Sequence, residues 1–217
     1  MKLFIGHDSK MAIASEVLEY SIKKYTNRHI DVTYLKLSEL NFNRLWDPLQ
    51  ATEFAYSRFL CPYLCGYSNE TVVFMDNDML ALSDITELFD MDMSNYALRV
   101  VKHNHVPTTV LKLDGKPQTQ YPRKNWSSLM VMRPDRLKCW TKEAVETQSG
   151  KWLHQFVPID DSLIGDLPTT YNVLDEIKSD TKLVHYTEGL PAFPGYENHQ
   201  FGKAWFDTRD EYTNAKM

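Results

Sequence analysis

The sequence predicts an α/β protein: a mostly parallel central sheet flanked by helices, with a smaller mixed second half. Three observations predict it. Leu3-Phe4-Ile5 is an apolar run ending at Gly6, too short for a helix and suited to a buried strand. Ala14, Val17, Leu18, Ile22 and Tyr25 then recur at the three/four spacing of one helical face, with Asp8 or Ser9 available as a cap. Val32-Thr33-Tyr34-Leu35 reads as a second strand. Strand, helix, strand in that order favours parallel pairing with a crossover helix.

The remaining elements follow in order. Phe54 to Leu64 is an aromatic-rich stretch predicted as a helix that ends at or just after Pro62. Thr71-Val72-Val73-Phe74-Met75 is apolar on both faces, as a central parallel strand is, and stops abruptly at Asp76-Asn77-Asp78. Ser83 is expected to cap a short helix holding Ile85, Leu88 and Phe89. Ala97–Val101, Thr108–Leu113 and Ser127–Met132 read as strands, and Asp114-Gly115 as a hairpin turn. Pro134 opens a helix to about Gln148, Ile159–Ile164 suggests a short helix, and Lys182–His185 a late strand.

Composition narrows the function classes. At 217 residues the chain suits one large domain, with residues 1–100 as a nucleotide-binding half and 101–217 as an acceptor-binding half. The polar ending, Asp207 to Met217, leaves open that it is a domain excised from a longer polypeptide. A net charge of −5 argues against a nucleic-acid partner. No run of residues is long and apolar enough for a membrane span, and Met1–Gly6 meets polar residues too soon for a signal peptide. Three cysteines, Cys61, Cys65 and Cys139, cannot all pair, which points to a reducing, cytoplasmic compartment.

Asp76-Asn77-Asp78 carries the most chemistry. In open α/β sheets ligands bind at the carboxyl ends of strands. Two carboxylates one residue apart can there face a single Mn²⁺ or Mg²⁺ that keeps positions for phosphate. The plainer reading is a solvated turn, but a buried strand delivering two charges to a sheet edge is costly unless something pairs them. His185, ending its own strand, is either a third ligand or a structural hydrogen-bonder. Gly189 either lets the backbone approach a phosphate or serves the turn before Leu190-Pro191. Asp160-Asp161 offers a general base beside a helix cap. Arg58 is a lone cation among aromatics that seeks an anion, either Asp76 or Asp78 or a ligand phosphate. Asp8 caps the first helix or binds a nucleotide. The Cys61/Cys65 pair has no partner set at zinc spacing and reads as core.

The set Gly6-His7-Asp8, Ala55-Tyr56-Ser57-Arg58-Phe59, Phe74-Met75-Asp76-Asn77-Asp78, Asn125-Trp126-Ser127-Ser128-Leu129-Met130-Val131 and His185-Tyr186-Thr187 resembles the GT-A fold glycosyltransferases. Within them it is most similar to the glycogenin-like family 8 type and to small viral enzymes that build capsid glycans. The resemblance runs from residue 2 to about 195. It implies a UDP-sugar donor, a glycan or glycoprotein hydroxyl as acceptor, and Mn²⁺ or Mg²⁺ held by Asp76, Asp78 and His185. It implies further that Gly6, His7 and Asp8 meet the uracil or ribose, and that Arg58 supports the metal carboxylates or the sugar. Asn77 and Gly189 would lie along the donor, Asn125 and Trp126 would face the sugar or acceptor, and Asp160-Asp161 would stand beside the reaction centre. Two departures matter: the pair Asp160-Asp161 also fits the acidic motif of inverting GT-A enzymes, which leaves retention or inversion open, and the segment after the late histidine differs. The family usually follows the late histidine with a glycine and then Lys-Pro-Trp, whereas here the chain reads Glu188-Gly189-Leu190-Pro191-Ala192-Phe193. Phosphate neutralisation is then expected to lean on the metal, on backbone amides, or on Lys182 or Lys203. The rival readings are a metal-dependent nucleotidyltransferase or nucleotide-sugar hydrolase, and a non-catalytic nucleotide- or carbohydrate-binding domain.

Overall fold

Strand β1 (Lys2–Gly6) lies between β2 (Asp31–Leu35) and β3 (Val72–Met75), parallel to both. This computed structural model describes residues 1–48, 50–103 and 122–217. Helix α1 (Ala12–Lys24), entered through a 3-10 turn at Ser9–Met11, makes the crossover from β1 to β2. The sheet continues through β6 (Leu129–Met132) and β5 (Leu98–Val100) to β7 (Ile164–Asp166), in the order β2-β1-β3-β6-β5-β7. Strand β6 runs antiparallel to both β3 and β5, and β7 runs parallel to β5. A second, three-stranded sheet joins β4 (Met79–Ala81), β9 (Leu183–His185) and β8 (Val173–Leu174), with β9 in the middle.

The main sheet is apolar on both faces because its side chains alternate between two cores. Phe4, Val72, Phe74, Met130 and Met132 pack with Phe59, Trp140 and Phe156 on one side. Leu3, Ile5, Val73, Met75 and Val131 pack with Leu18 and Ile22 of α1 and with Ile85 and Leu88 on the other. The expected central strand is thus central, with all four residues of β3 buried.

Several elements differ from the sequence expectation. The stretch from Phe54 to Leu64 is not one helix: a 3-10 turn at Ser57–Leu60 passes into the single α-turn α2 (Cys61–Leu64). Pro62 lacks the N–H that a continuous helix needs at that point. Asp84, not Ser83, holds the next turn, its Oδ1 accepting from the Thr86 N–H at 2.8 Å. The helix expected from Pro134 to Gln148 breaks into a 3-10 turn, α3 (Lys142–Thr147) and then α4 (Gly150–His154). Thr141 and Ser149 each cap a fresh start by accepting a backbone N–H. The short helix at 159–164 is a 3-10 turn, Asp161–Leu163, leading into edge strand β7. The last helix, α5 (Gly202–Ala215), was legible only as a polar tail; it packs Trp205 with Ala14 and Val17 of α1. The strand expected at Thr108–Leu113 and the turn at Asp114-Gly115 lie outside the described residues.

Candidate metal and donor site

Topology brings three chain segments to one corner. β3 ends at Met75, opposite Leu129 at the start of β6, so Asp76 and the Trp126–Ser128 turn share the same sheet edge. The Asp76 N–H donates to the Ser128 carbonyl at 2.9 Å. Three residues after Asp76, Met79 opens β4 opposite His185, the last residue of β9. The Tyr186 N–H donates to the Asp78 carbonyl at 2.9 Å and locks that register. Ligand atoms of Asp76, Asp78 and His185 therefore lie within 4.8 Å of one another.

Two carboxylates share this corner with one guanidinium. Nη1 of Arg58 sits 2.8 Å and 3.1 Å from the two carboxylate oxygens of Asp76 and also donates to the Ser127 carbonyl at 3.0 Å. Oδ1 of Asp76 and Oδ1 of Asp78 are nevertheless buried without receiving a well-formed hydrogen bond. Burial pushes the Asp76 carboxyl up to about 7, and the Asp78 charge adds to that; Arg58 opposes it. Burial pushes His185 down, but the Asp78 carboxylate at 3.1 Å from Nε2 outweighs it, and the net shift is upward. Two carboxylates and an imidazole converging with under-satisfied oxygens fit a hard or borderline divalent ion.

The other sequence-selected residues divide into those that brace this corner and those that stand apart. Asn77 is fully buried behind the two aspartates, its Nδ2 3.5 Å from Ser15 Oγ, which in turn donates to the Gly6 carbonyl at 3.0 Å. Gly6 is required by packing, since a Cβ there would lie 2.4 Å from the Phe54 ring. The His7 ring stacks on Tyr34 at 5.8 Å. Asp8 spends both oxygens on backbone, accepting from Lys10 N–H at 3.0 Å and Glu53 N–H at 3.1 Å. Glu53 answers by accepting from the Ser9 N–H and hydroxyl. Gly189 has a φ of +155° and its Cα lies against Tyr196, so a Cβ would sit 2.1 Å from that ring.

Asn125 adopts a left-handed backbone at φ 64° that aims the turn carrying Trp126 and the two serines. The indole of Trp126 donates to the His103 carbonyl at 3.1 Å. Arg123, 5.2 Å above the Trp126 ring, binds Asp161 at 2.5 Å. Asp160 is a cap, its Oδ1 accepting from the Ser162 N–H and hydroxyl, and those bonds hold its carboxyl below the usual range. Asp160 and Asp161 are both exposed, on a turn of their own.

The structure also answers where the missing lysine is not replaced. Lys182 stands at the opposite end of β9 from His185 and is held by Glu87 and Tyr171. Lys203 pairs with Asp207 on α5 at 2.6 Å and points into solvent. Neither reaches the corner.

Two contributors escaped the sequence reading: Asn172 and His154. His154 Nδ1 lies 2.9 Å from Ser127 Oγ. Burial first, then Arg58 and Arg44, lowers it to about 3, so the ring is neutral. Neither has motif spacing, and only their places beside His185 and beside Ser127 mark them out.

An α/β sheet with an Asp-x-Asp turn at its carboxyl edge and a late histidine beside it is the arrangement expected of a GT-A type glycosyltransferase. The glycosyl transferase family 8 profile matches residues 8–176, and the chain belongs to that family. It is 35% identical to Protein CDI of Arabidopsis thaliana over an alignment of 225 residues, covering 97% of this chain and 86% of that protein. Among solved structures it is similar in fold to the galactosyltransferase LgtC, crystallised with donor and acceptor sugar analogues. The TM-score is 0.61 at 14% identity, over 97% of this chain and 96% of that one. GlyE of Streptococcus pneumoniae TIGR4 gives a TM-score of 0.62 at 12% identity, over 96% of this chain; the chain spans 59% of GlyE's length. A glycosyltransferase involved in glycosylation of the major capsid of PBCV-1 gives 0.55 at 12% identity, over 98% of both chains. Among the described residues no helix is long and apolar enough to cross a membrane.

Proposed function

We propose that the protein transfers a hexose from a UDP-sugar to a hydroxyl of a glycan or glycoprotein, with Mn²⁺ or Mg²⁺ held by Asp76, Asp78 and His185. The single observation that supports this most is the convergence of those three side chains, with under-satisfied buried oxygens, at the carboxyl edge of the sheet. A divalent ion held by those residues would supply charge neutralisation for the departing diphosphate, commonly the largest electrostatic need of such a transfer.

The chain's own residues supply the rest. Arg58 orients Asp76 and offers a fixed positive charge to the donor. The neutral ring of His154 holds Ser127, which shares Arg58, without adding a competing cation. Residues 1–100 would carry the nucleotide, with the His7–Tyr34 stack and the Asp8–Glu53 latch shaping the loop after β1. Residues 101–217 would carry the acceptor, with Asn125 and Trp126 nearest the sugar. With no lysine at the family's usual place, backbone N–H groups near Gly189 would join Arg58 as donors to the diphosphate. Asp161 accepts the acceptor hydroxyl's proton at a carboxylate oxygen, while Asp160 caps the turn beneath it. A cytoplasmic location belongs to the same reading, supported by three cysteines that are free thiols.

Incubation with a panel of UDP-sugars, Mn²⁺ and simple sugar acceptors tests the proposal. UDP should be the released nucleotide, and slow donor hydrolysis should appear without acceptor. Release of UMP or pyrophosphate would favour a hydrolase or nucleotidyltransferase instead. Tight Mn²⁺-dependent UDP binding without any turnover would favour a binding domain.

A further inference from the structure

The side chain behind His185 belongs to a chain of hydrogen bonds whose direction can be read from one end. The Asn125 carbonyl can only accept, so Ser128 Oγ, 2.6 Å away, donates its proton there. Ser128 Oγ is then left with lone pairs and accepts from the Asn172 amide N–H₂ at 2.9 Å. That fixes the amide orientation and turns Oδ1 of Asn172 toward His185 Nδ1, 2.9 Å away. An amide oxygen can only accept, so Nδ1 carries a proton. Asn172 and Ser128 are 1% and 2% exposed, so water does not offer an alternative partner.

From this we infer that Asn172 is a positioning residue for His185. Relayed from the Asn125 carbonyl through Ser128, it keeps the imidazole proton on Nδ1 and presents Nε2 to the two aspartates. The inference rests on the proposed metal reading for its use and deepens it. A ligating histidine normally needs such a partner on its other nitrogen. Here the partner also ties the ligand to the turn that aims Asn125 and Trp126, so the donor-sugar side and the metal side of the site share one polar thread. The Ser128 carbonyl, which accepts from the Asp76 N–H, closes the same thread onto the first aspartate.

The test combines Mn²⁺ titration, with the free ion read by electron paramagnetic resonance, and ¹⁵N-edited NMR of the His185 ring with and without Mg²⁺. Wild type should show a slowly exchanging Nδ1–H that survives Mg²⁺ saturation. Asn172→Leu should lower Mn²⁺ affinity about 10- to 100-fold, and Asn172→Asp, which keeps an acceptor, should recover most of that loss. Ser128→Ala leaves the direct contacts of His185 in place but frees the amide to turn. It should give a smaller loss of affinity and faster exchange at Nδ1. Should Asn172→Leu fail to fold, the Asn172→Asp and Ser128→Ala variants still decide the matter. A bare Nδ1 with the proton on Nε2 would overturn the inference. So would unchanged Mn²⁺ affinity in Asn172→Leu, or unchanged Nδ1 exchange together with unchanged Mn²⁺ affinity in Ser128→Ala. A wild-type protein that keeps the protected Nδ1–H but takes up no Mn²⁺ supports the relay and contradicts the metal reading alone.

Discussion

Two acidic pairs, one residue type and two environments, separate the parts of this site. Asp76 and Asp78 are delivered by a fully buried strand into a corner already occupied by Arg58 and His185. Asp160 and Asp161 lie in the open, one spent on a turn and the other paired with Arg123. The first pair is under-satisfied and its charge is expensive; the second is solvated and its charge costs little. The buried corner is the one whose three side chains could hold a metal ion. The exposed pair is already satisfied by Ser162 and Arg123.

The widest expected contrast is between Asp78→Ala and Asp161→Asn. Asp78→Ala should remove Mn²⁺-dependent UDP binding, at least about a hundredfold in affinity by calorimetry, while the fold survives. Asp161→Asn should leave UDP and Mn²⁺ binding unchanged and lower kcat far more than donor KM. Equal loss of donor affinity in both variants would erase the distinction between the corners.

Arg58→Ala should come next. It strips the buried Asp76 of its nearest cation, which costs on the order of 3 kcal/mol by urea unfolding, because the uncompensated charge stays behind. Added Mn²⁺ should return part of that stability. Arg123→Ala, breaking the exposed pair, should cost no more than about 1 kcal/mol.

A pH series sharpens the same comparison. The folded Asp76 carboxyl, at about 7, binds its proton more tightly than the unfolded chain does. Its contribution to stability is therefore complete below about pH 4 and is lost as pH rises through 7. The upward shift of His185 acts in the same direction. Relative to Asp76→Asn, the metal-free wild type should lose stability between pH 5 and 8, and Mn²⁺ should stabilise it more at pH 8 than at pH 5. A difference between the two proteins that stays flat across that window would contradict the burial of an ionisable pair. The smallest effects belong to Lys182→Ala and Lys203→Ala, which should leave UDP affinity where it was.

The readable parts of the sequence were those where local chemistry and long-range structure coincide. β3 is apolar on both faces and breaks at two acids, which marks both a central strand and the edge where ligands bind. His185 ends an apolar run in the same way. What stayed hidden depended on packing or on one residue in the wrong place for a simple period. Pro62 and the Thr141 and Ser149 caps cut long apparent helices into short turns. β4 and β7, at three residues each, are too short for any alternation to show. The buried Ser128–Asn172 bond crosses 44 positions of sequence, and nothing in either neighbourhood announces it.

The most direct measurement is the anomalous signal at the manganese edge from crystals soaked with MnCl₂ and UDP. The expected result is one peak bounded by Asp76, Asp78 and His185, in contact with the diphosphate. A map with the nucleotide bound and no manganese among those three side chains, Arg58 still covering both oxygens of Asp76, would contradict it.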